Sequence, residues 1–181
     1  NLDISFLINT ILITSAFYLF FITSRDFLIK KFDNLSQNLA HFGFSLLILS
    51  ILLNNIFSTE AITNLKVGET YKSEKFKISF ESIDKKDIKN YTAIIGKFRV
   101  ENFNGDIDIL NPELRIYDQP NIVTSEASIK TNLLTDKFIT MNLVQNQDYF
   151  NIRYQNKPFM LWIWFSVLLI SFGGLISVLQ K

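Results

Sequence analysis

Three long runs without a charged residue constrain this chain more than any other feature. Ile4 to Ile22, Ala40 to Phe57 and Phe159 to Leu179 are rich in Leu, Ile and Phe. About 20 apolar residues, rising ~1.5 Å each, cross a hydrocarbon core of ~30 Å. A backbone in lipid finds no water to bond, so such runs fold as helices. The chain is 48% hydrophobic, and its apolar residues cluster in these blocks, which argues against a wholly soluble domain. The predicted fold class is a membrane protein. Transmembrane helices cover 4–22, 40–57 and 158–179, with an inner basic connector over 23–39. An extracytoplasmic all-β domain, a small barrel or sandwich, fills 58–157 between the last two spans.

The first run lacks a basic leader and a small-residue cleavage site, so it reads as a span and not a signal peptide. Phe17, Tyr18, Phe20 and Phe21 crowd its end like an interfacial aromatic belt. Arg25 to Asn38 is a polar connector with Arg25, Lys30 and Lys31 set against Asp26 and Asp33. Short basic loops stay on the inner side. Phe27, Leu28, Ile29, Phe32 and Leu35 make this piece either a short interfacial helix or a snorkelling loop. Pro158 and Trp162-Ile163-Trp164 open the third run, and Gly173-Gly174 offer close packing to a neighbouring helix. Asn1 and the β domain then lie outside; the connector and Lys181 lie inside. The opening on Asn1 beside an apolar run reads as the tail of a longer protein.

Residues 58–157 change character. Lys75-Phe76-Lys77-Ile78-Ser79-Phe80-Glu81 and Lys97-Phe98-Arg99-Val100-Glu101 alternate polar with apolar, the period of a half-buried strand. Asn104-Gly105 before Asp106-Ile107-Asp108-Ile109 signals a hairpin, because both residues tolerate positive φ. Arg115-Ile116-Tyr117 continues after Pro112, and Phe138 to Val144 with Tyr149 to Tyr154 form a last strand pair around Gln145-Asn146-Gln147-Asp148. Ser125 to Leu134 is expected as a helical or irregular insert. About 100 residues of short strands make one small antiparallel barrel or sandwich.

Much chemistry is excluded. The net charge of +1 carries no nucleic-acid footprint. With no cysteine there is no disulfide, thiolate metal site or thiol catalysis. No glycine-rich phosphate loop is present; Gly68 and Gly96 read as turn and strand-packing glycines. Glu60, Glu69, Glu81, Asp84 and Asp87 are scattered and read as a solvated face. No catalytic residue is assigned.

One residue stands apart. His41, in Leu39-Ala40-His41-Phe42-Gly43-Phe44-Ser45-Leu46, is the only histidine and sits at the inner mouth of the second span. Ionisable groups in a bilayer are costly and usually functional. Phe44, Ser45 and Ile48 follow at i+3, i+4 and i+7 and share its face; Gly43 lies elsewhere and lets a neighbouring helix approach. A neutral imidazole is a strong ligand for haem iron. A helix-end histidine bonded to a carbonyl or facing headgroups is the plainer alternative, and the residues alone leave both open.

Several stretches resemble the C-terminal region of the CcmF family, the haem lyase component of system I cytochrome c maturation. They are Leu39-Ala40-His41-Phe42-Gly43, Asn90-Tyr91-Thr92-Ala93, Asn111-Pro112-Glu113-Leu114-Arg115-Ile116-Tyr117, Ser125-Glu126-Ala127-Ser128-Ile129, and Lys157-Pro158 to Trp162-Ile163-Trp164 with Gly173-Gly174. Their order and spacing match over nearly the whole chain. The resemblance implies the last membrane helices and extracytoplasmic β domain of a longer protein. It implies that His41 is one of two axial ligands to a transmembrane haem b, which passes electrons that keep incoming haem reduced. The second ligand, a tryptophan-rich haem-handling motif and two external histidines belong to the upstream part. The implied partners are the haem chaperone CcmE, CcmH, apocytochrome c and that upstream part, with no nucleic acid. The implied setting is a bacterial inner membrane with a periplasmic β domain, or alternatively a mitochondrial inner membrane. Leu161, Phe138 and Phe165-Ser166 depart from the family pattern; none touches His41.

Within the β domain Glu113, Arg115, Tyr117, Glu126 and Arg153 are expected to form a structural ionic network, with Glu113 or Glu126 on Arg115 or Arg153. Two functions therefore compete. One is part of a membrane haem lyase complex, with the fragment inactive alone. The other is a non-catalytic membrane-anchored β module that scaffolds a complex, with His41 structural.

Overall fold

The computed structural model describes residues 4–29, 34–102, 105–144 and 147–180. They divide into a helical unit (Asn1–Ser58, Leu133–Thr135 and Lys157–Lys181) and a β unit (Thr59–Asn132 and Asp136–Asn156).

The helical unit holds α1 (Ile4–Ile29), α2 (Leu35–Phe57) and α3 (Met160–Leu179). Among the described residues all three are long and apolar enough to cross a membrane. The expected connector is largely helical: Arg25 to Ile29 continue α1, and Leu35 to Asn38 open α2. No proline or glycine interrupts these residues, so polarity alone does not end the helix. Phe27 stacks on Phe42 of α2 at 5.2 Å, which accounts for that apolar residue without an interfacial helix. Lys30, Lys31, Phe32 and Asp33 lie outside the described residues.

Small residues bring α2 and α3 together. A Cβ on Gly43 would stand 3.0 Å from Ile170, Leu169 and the Ser166 carbonyl. One on Gly173 would stand 2.8 Å from the Ser36 carbonyl and 2.9 Å from the Ala40 nitrogen. Ser36 Oγ donates to the Gly173 carbonyl at 2.9 Å. This is the close-approach packing expected at both glycines. Gly174 differs, since a Cβ there meets nothing within 4 Å. Helix α1 meets α2 through Phe20 and Phe42, 5.8 Å apart, and through the Thr23 and Ser45 hydroxyls at 2.6 Å.

The β unit is a two-sheet sandwich. Its strands are β1 (Thr59–Leu65), β2 (Thr70–Lys72), β3 (Phe76–Ile88), β4 (Tyr91–Asn102), β5 (Ile107–Leu110), β6 (Glu113–Tyr117), β7 (Ile122–Glu126), β8 (Ser128–Thr131), β9 (Thr135–Leu143) and β10 (Phe150–Pro158). One sheet runs β1-β10-β9-β8; the other runs β2-β3-β4-β6-β7, with β5 also on β4. The strands expected around Phe76, Phe98, Ile116, Phe138 and Tyr154 are all present. The expected insert over Ser125 to Leu134 is instead mostly strand, β7 passing to β8. Backbone and hydroxyl bonds hold it extended: Ser125 Oγ donates to the Met141 carbonyl at 2.7 Å, and the Asn111 amide donates to Ser128 Oγ at 2.9 Å. Asn104, Gln145 and Asn146 lie outside the described residues, while Gly105 has the positive φ, 83°, expected of that turn.

The core follows from alternation. Phe76, Ile78 and Phe80 of β3, with Phe98 and Val100 of β4, turn inward against Ile139, Met141, Ile152 and Tyr154. Phe80 and Phe98 stack at 4.2 Å. Gly96 sits where β4 passes from β6 to β5. Its amide donates to the Pro112 carbonyl at 3.0 Å, and a Cβ there would lie 2.7 Å from the Phe98 ring.

Candidate functional site

Helix α2 has three faces, and their allocation places His41. Ser36, Ala40 and Gly43 meet α3. Phe42 and Ser45 meet α1. The third face carries Gln37, His41 and Phe44, all exposed. With 3.6 residues per turn these three fall along one stripe. Among the described residues His41 makes no hydrogen bond or ion pair. Phe44 shares its stripe as expected. Ser45 does not, because its hydroxyl is buried against Thr23 and the Phe42 carbonyl. Further along α2, Ile48, Ile51 and Leu52 join Leu12, Ala16 and Leu19 of α1 around an apolar recess of about 320 Å³.

A single exposed imidazole has the chemistry to be one ligand of a haem iron. The imidazole is exposed, bonds no carbonyl or carboxylate among the described residues, and lies on an apolar helix. A second ligand would have to come from another helix. Among the described residues no group of three His, Asp or Glu side chains is arranged to hold a metal ion.

The β unit carries the ionic network expected at Arg115, with Glu113 and Glu126 as its partners, while Arg153 takes a different one. Arg115 bonds Glu113 at 3.1 Å, stands 3.7 Å from Glu126 and lies over the Tyr91 ring at 5.3 Å. Glu113 holds the Arg115 guanidinium above its ordinary pKa. Tyr91 in turn packs on Tyr117 at 5.1 Å. Arg153 pairs with Glu60 at 2.6 Å, not with Glu113 or Glu126. At the irregularity between Phe80 and Ser82 of β3, Glu81 drops out of register and takes Arg99 at 2.6 Å and Lys97 at 3.0 Å. Its carboxyl is pulled below the usual range, first by the Arg99 bond and then by Lys97.

Asp108 was not singled out as a site residue. It is 6% exposed and bonds Lys137 and Lys130, each at 2.6 Å. Burial pushes its carboxyl up, but the two lysines outweigh that and leave it below the ordinary carboxylate value. Tyr154, fully buried, has its hydroxyl driven upward by burial and then by the charge of Asp108. The only sequence signal was an aspartate between two isoleucines, and apolar alternation assigns it to the wrong face.

The described geometry is that of a β sandwich preceded and followed in the chain by long apolar helices. Residues 56–158 match the family described as CcmF C-terminal beta-sandwich. The chain belongs to the CcmF family. It is 29% identical over 145 residues to the cytochrome c-type biogenesis protein CcmF of Pseudomonas fluorescens, covering 80% of this chain and 22% of that protein. It is 24% identical over 169 residues to the cytochrome c-type biogenesis protein NrfE of Haemophilus influenzae, covering 93% of this chain and 27% of the relative. A solved structure titled Cytochrome c Heme Lyase CcmF shares the fold with a TM-score of 0.58 at 17% identity, over 78% of this chain and 24% of that one. The chain thus spans about a quarter or less of each of these CcmF relatives.

Proposed function

We propose that this chain supplies the C-terminal part of a membrane haem lyase subunit that supports covalent attachment of haem to apocytochrome c. The observation that carries this is His41: an uncommitted imidazole on the exposed stripe of an apolar helix, in a chain of the CcmF family. A polar ring left without a partner in lipid is costly, so the stripe of Gln37, His41 and Phe44 is read as facing another helix and not acyl chains. His41 would hold one axial position of a haem b, and a ligand from outside this chain would hold the other. When bound, that haem supplies a one-electron carrier.

The tight α2–α3 contact at Gly43 and Gly173 fixes the rotation of α2 and hence the direction in which His41 points. The β sandwich is read as extracytoplasmic, periplasmic in a bacterial inner membrane, where apocytochrome c, CcmE and CcmH would meet the complex. Its charged strands are read as structural support and not as catalytic groups.

The test is optical and uses the full-length protein. The reduced protein should show a b-type spectrum, and His41→Ala should abolish it, with partial recovery on adding imidazole. The same variant should leave the β-sheet circular dichroism unchanged. A b-type spectrum unaltered in His41→Ala would remove His41 from the site.

A further inference from the structure

The chain between β8 and β9 turns through Leu133 and Leu134, which are 70% and 62% exposed. Tight turns are ordinarily polar, so two adjacent exposed leucines at a hairpin tip need an account. Leu133–Thr135 groups with the helical unit, and its bonds explain why. The Phe159 amide donates to the Leu134 carbonyl at 2.7 Å, and Trp162 Nε1–H donates to the Leu133 carbonyl at 2.8 Å. Phe159 holds φ 61°, a left-handed conformation that costs an aromatic residue energy. Both leucine carbonyls are therefore bonded at the start of α3, while their side chains stay largely exposed. Leu133, Leu161, Trp162 and Phe165 line a wholly apolar recess of about 230 Å³.

We propose that this turn is a lipid anchor, and that its recess takes a phospholipid acyl chain from the leaflet at which α3 begins. Three observations favour lipid over a protein groove or water. The backbone carbonyls at the tip are already bonded, the condition for residing where water is scarce. The recess opens onto an exposed stripe, Leu161, Phe165, Leu168, Phe172 and Leu175, that continues down α3. The Trp162 indole sits at the start of this stripe with its N–H satisfied, the place an amphipathic ring takes at a bilayer interface. The proposal rests on reading α3 as a membrane span.

The chain has no cysteine, so single nitroxide labels report cleanly. In phosphatidylcholine vesicles, labels at Leu133→Cys and Phe172→Cys should both favour dissolved oxygen over a water-soluble nickel chelate. A label at Ile109→Cys, on the β sandwich, should show the reverse. In Trp164→Phe, which leaves Trp162 as the one tryptophan of these 181 residues, brominated acyl chains should quench the emission of this chain. Lipid contact at Phe172 with water contact at Leu133 and no bromine quenching overturns the anchor and leaves the span intact. Shielding of the Leu133 label from both reagents overturns it in favour of a protein cover. Water contact at Phe172 would overturn the span and the anchor together.

Discussion

Phe98 and Phe172 are the same side chain under opposite rules. Phe98 is fully buried in the β sandwich, stacked on Phe80; Phe172 is 56% exposed on α3. In the β unit, phenylalanine supplies core volume and stability by leaving water. In the helical unit many large apolar residues are exposed, Leu46 and Leu49 being buried, and the tight α2–α3 contact centres on glycine, alanine and serine. The difference teaches that the two units answer to different solvents. A protein interior held together by the hydrophobic effect needs large residues inside; helices in lipid gain little from that and need close backbone contact instead.

The sharpest way to break this comparison is to empty the sandwich core. Phe98→Ala should cost about 3–5 kcal/mol and lower the thermal midpoint of the β unit, followed by far-ultraviolet circular dichroism. Phe172→Ala should leave that midpoint where it was. If both substitutions moved it alike, the contrast between the units would be lost. Residues 58–157 alone should fold as a soluble β-sheet unit; a random-coil spectrum would contradict the division.

Asp108→Ala should approach the same size. Removing one partner from a buried pair costs about 3–5 kcal/mol, because Lys137, whose side chain is 11% exposed, is left charged without it. Lys130, more exposed, should matter less. The pH dependence has a definite sign. The folded carboxyl lies below its ordinary value, so its contribution is full above about pH 4 and is lost as pH falls through the lowered folded value. Chemical denaturation between neutral and acid pH should show this slope, and Asp108→Asn should flatten it.

Within the helical unit, the paired glycines sharpen the comparison. Gly173→Ala places a methyl 2.8 Å from the Ser36 carbonyl, backbone that cannot step aside cheaply, and should cost about 1–3 kcal/mol. Gly174→Ala meets nothing within 4 Å and should be neutral or stabilising by up to about 1 kcal/mol. Detergent unfolding of the two variants side by side would check this. The smallest effect is expected at the exposed Arg153–Glu60 pair, where Arg153→Met should change stability by less than about 1 kcal/mol. A double-mutant cycle with Glu60→Gln would measure it.

Much of this was legible in the residues. Uncharged runs dictate helices because a backbone in lipid must satisfy itself, and the three runs fall on α1, α2 and α3, with Phe159 as the N-cap of α3. Strand alternation around Phe76 and Phe98 gave their inward faces, and Gly43 was legible as a packing glycine. Charge marks a connector over 23–39, but α1 runs on to Ile29 and α2 begins at Leu35, because a helix ends on backbone grounds. His41 was visible as a lone ionisable ring; that its face is the one left free by α1 and α3 was not.

What the sequence determined by itself is hydrophobic patterning: which segments cross or avoid water, and where period-two strands lie. What only the tertiary structure decided is phase and partnership. Leu110 lies opposite Phe98 in the register, and this turns Asp108 inward and Ile107 and Ile109 outward, against their own polarity. The physical reason is that a strand's faces are fixed collectively by period and pairing. One well-packed leucine can therefore impose a buried charge, which two lysines distant in the chain then satisfy.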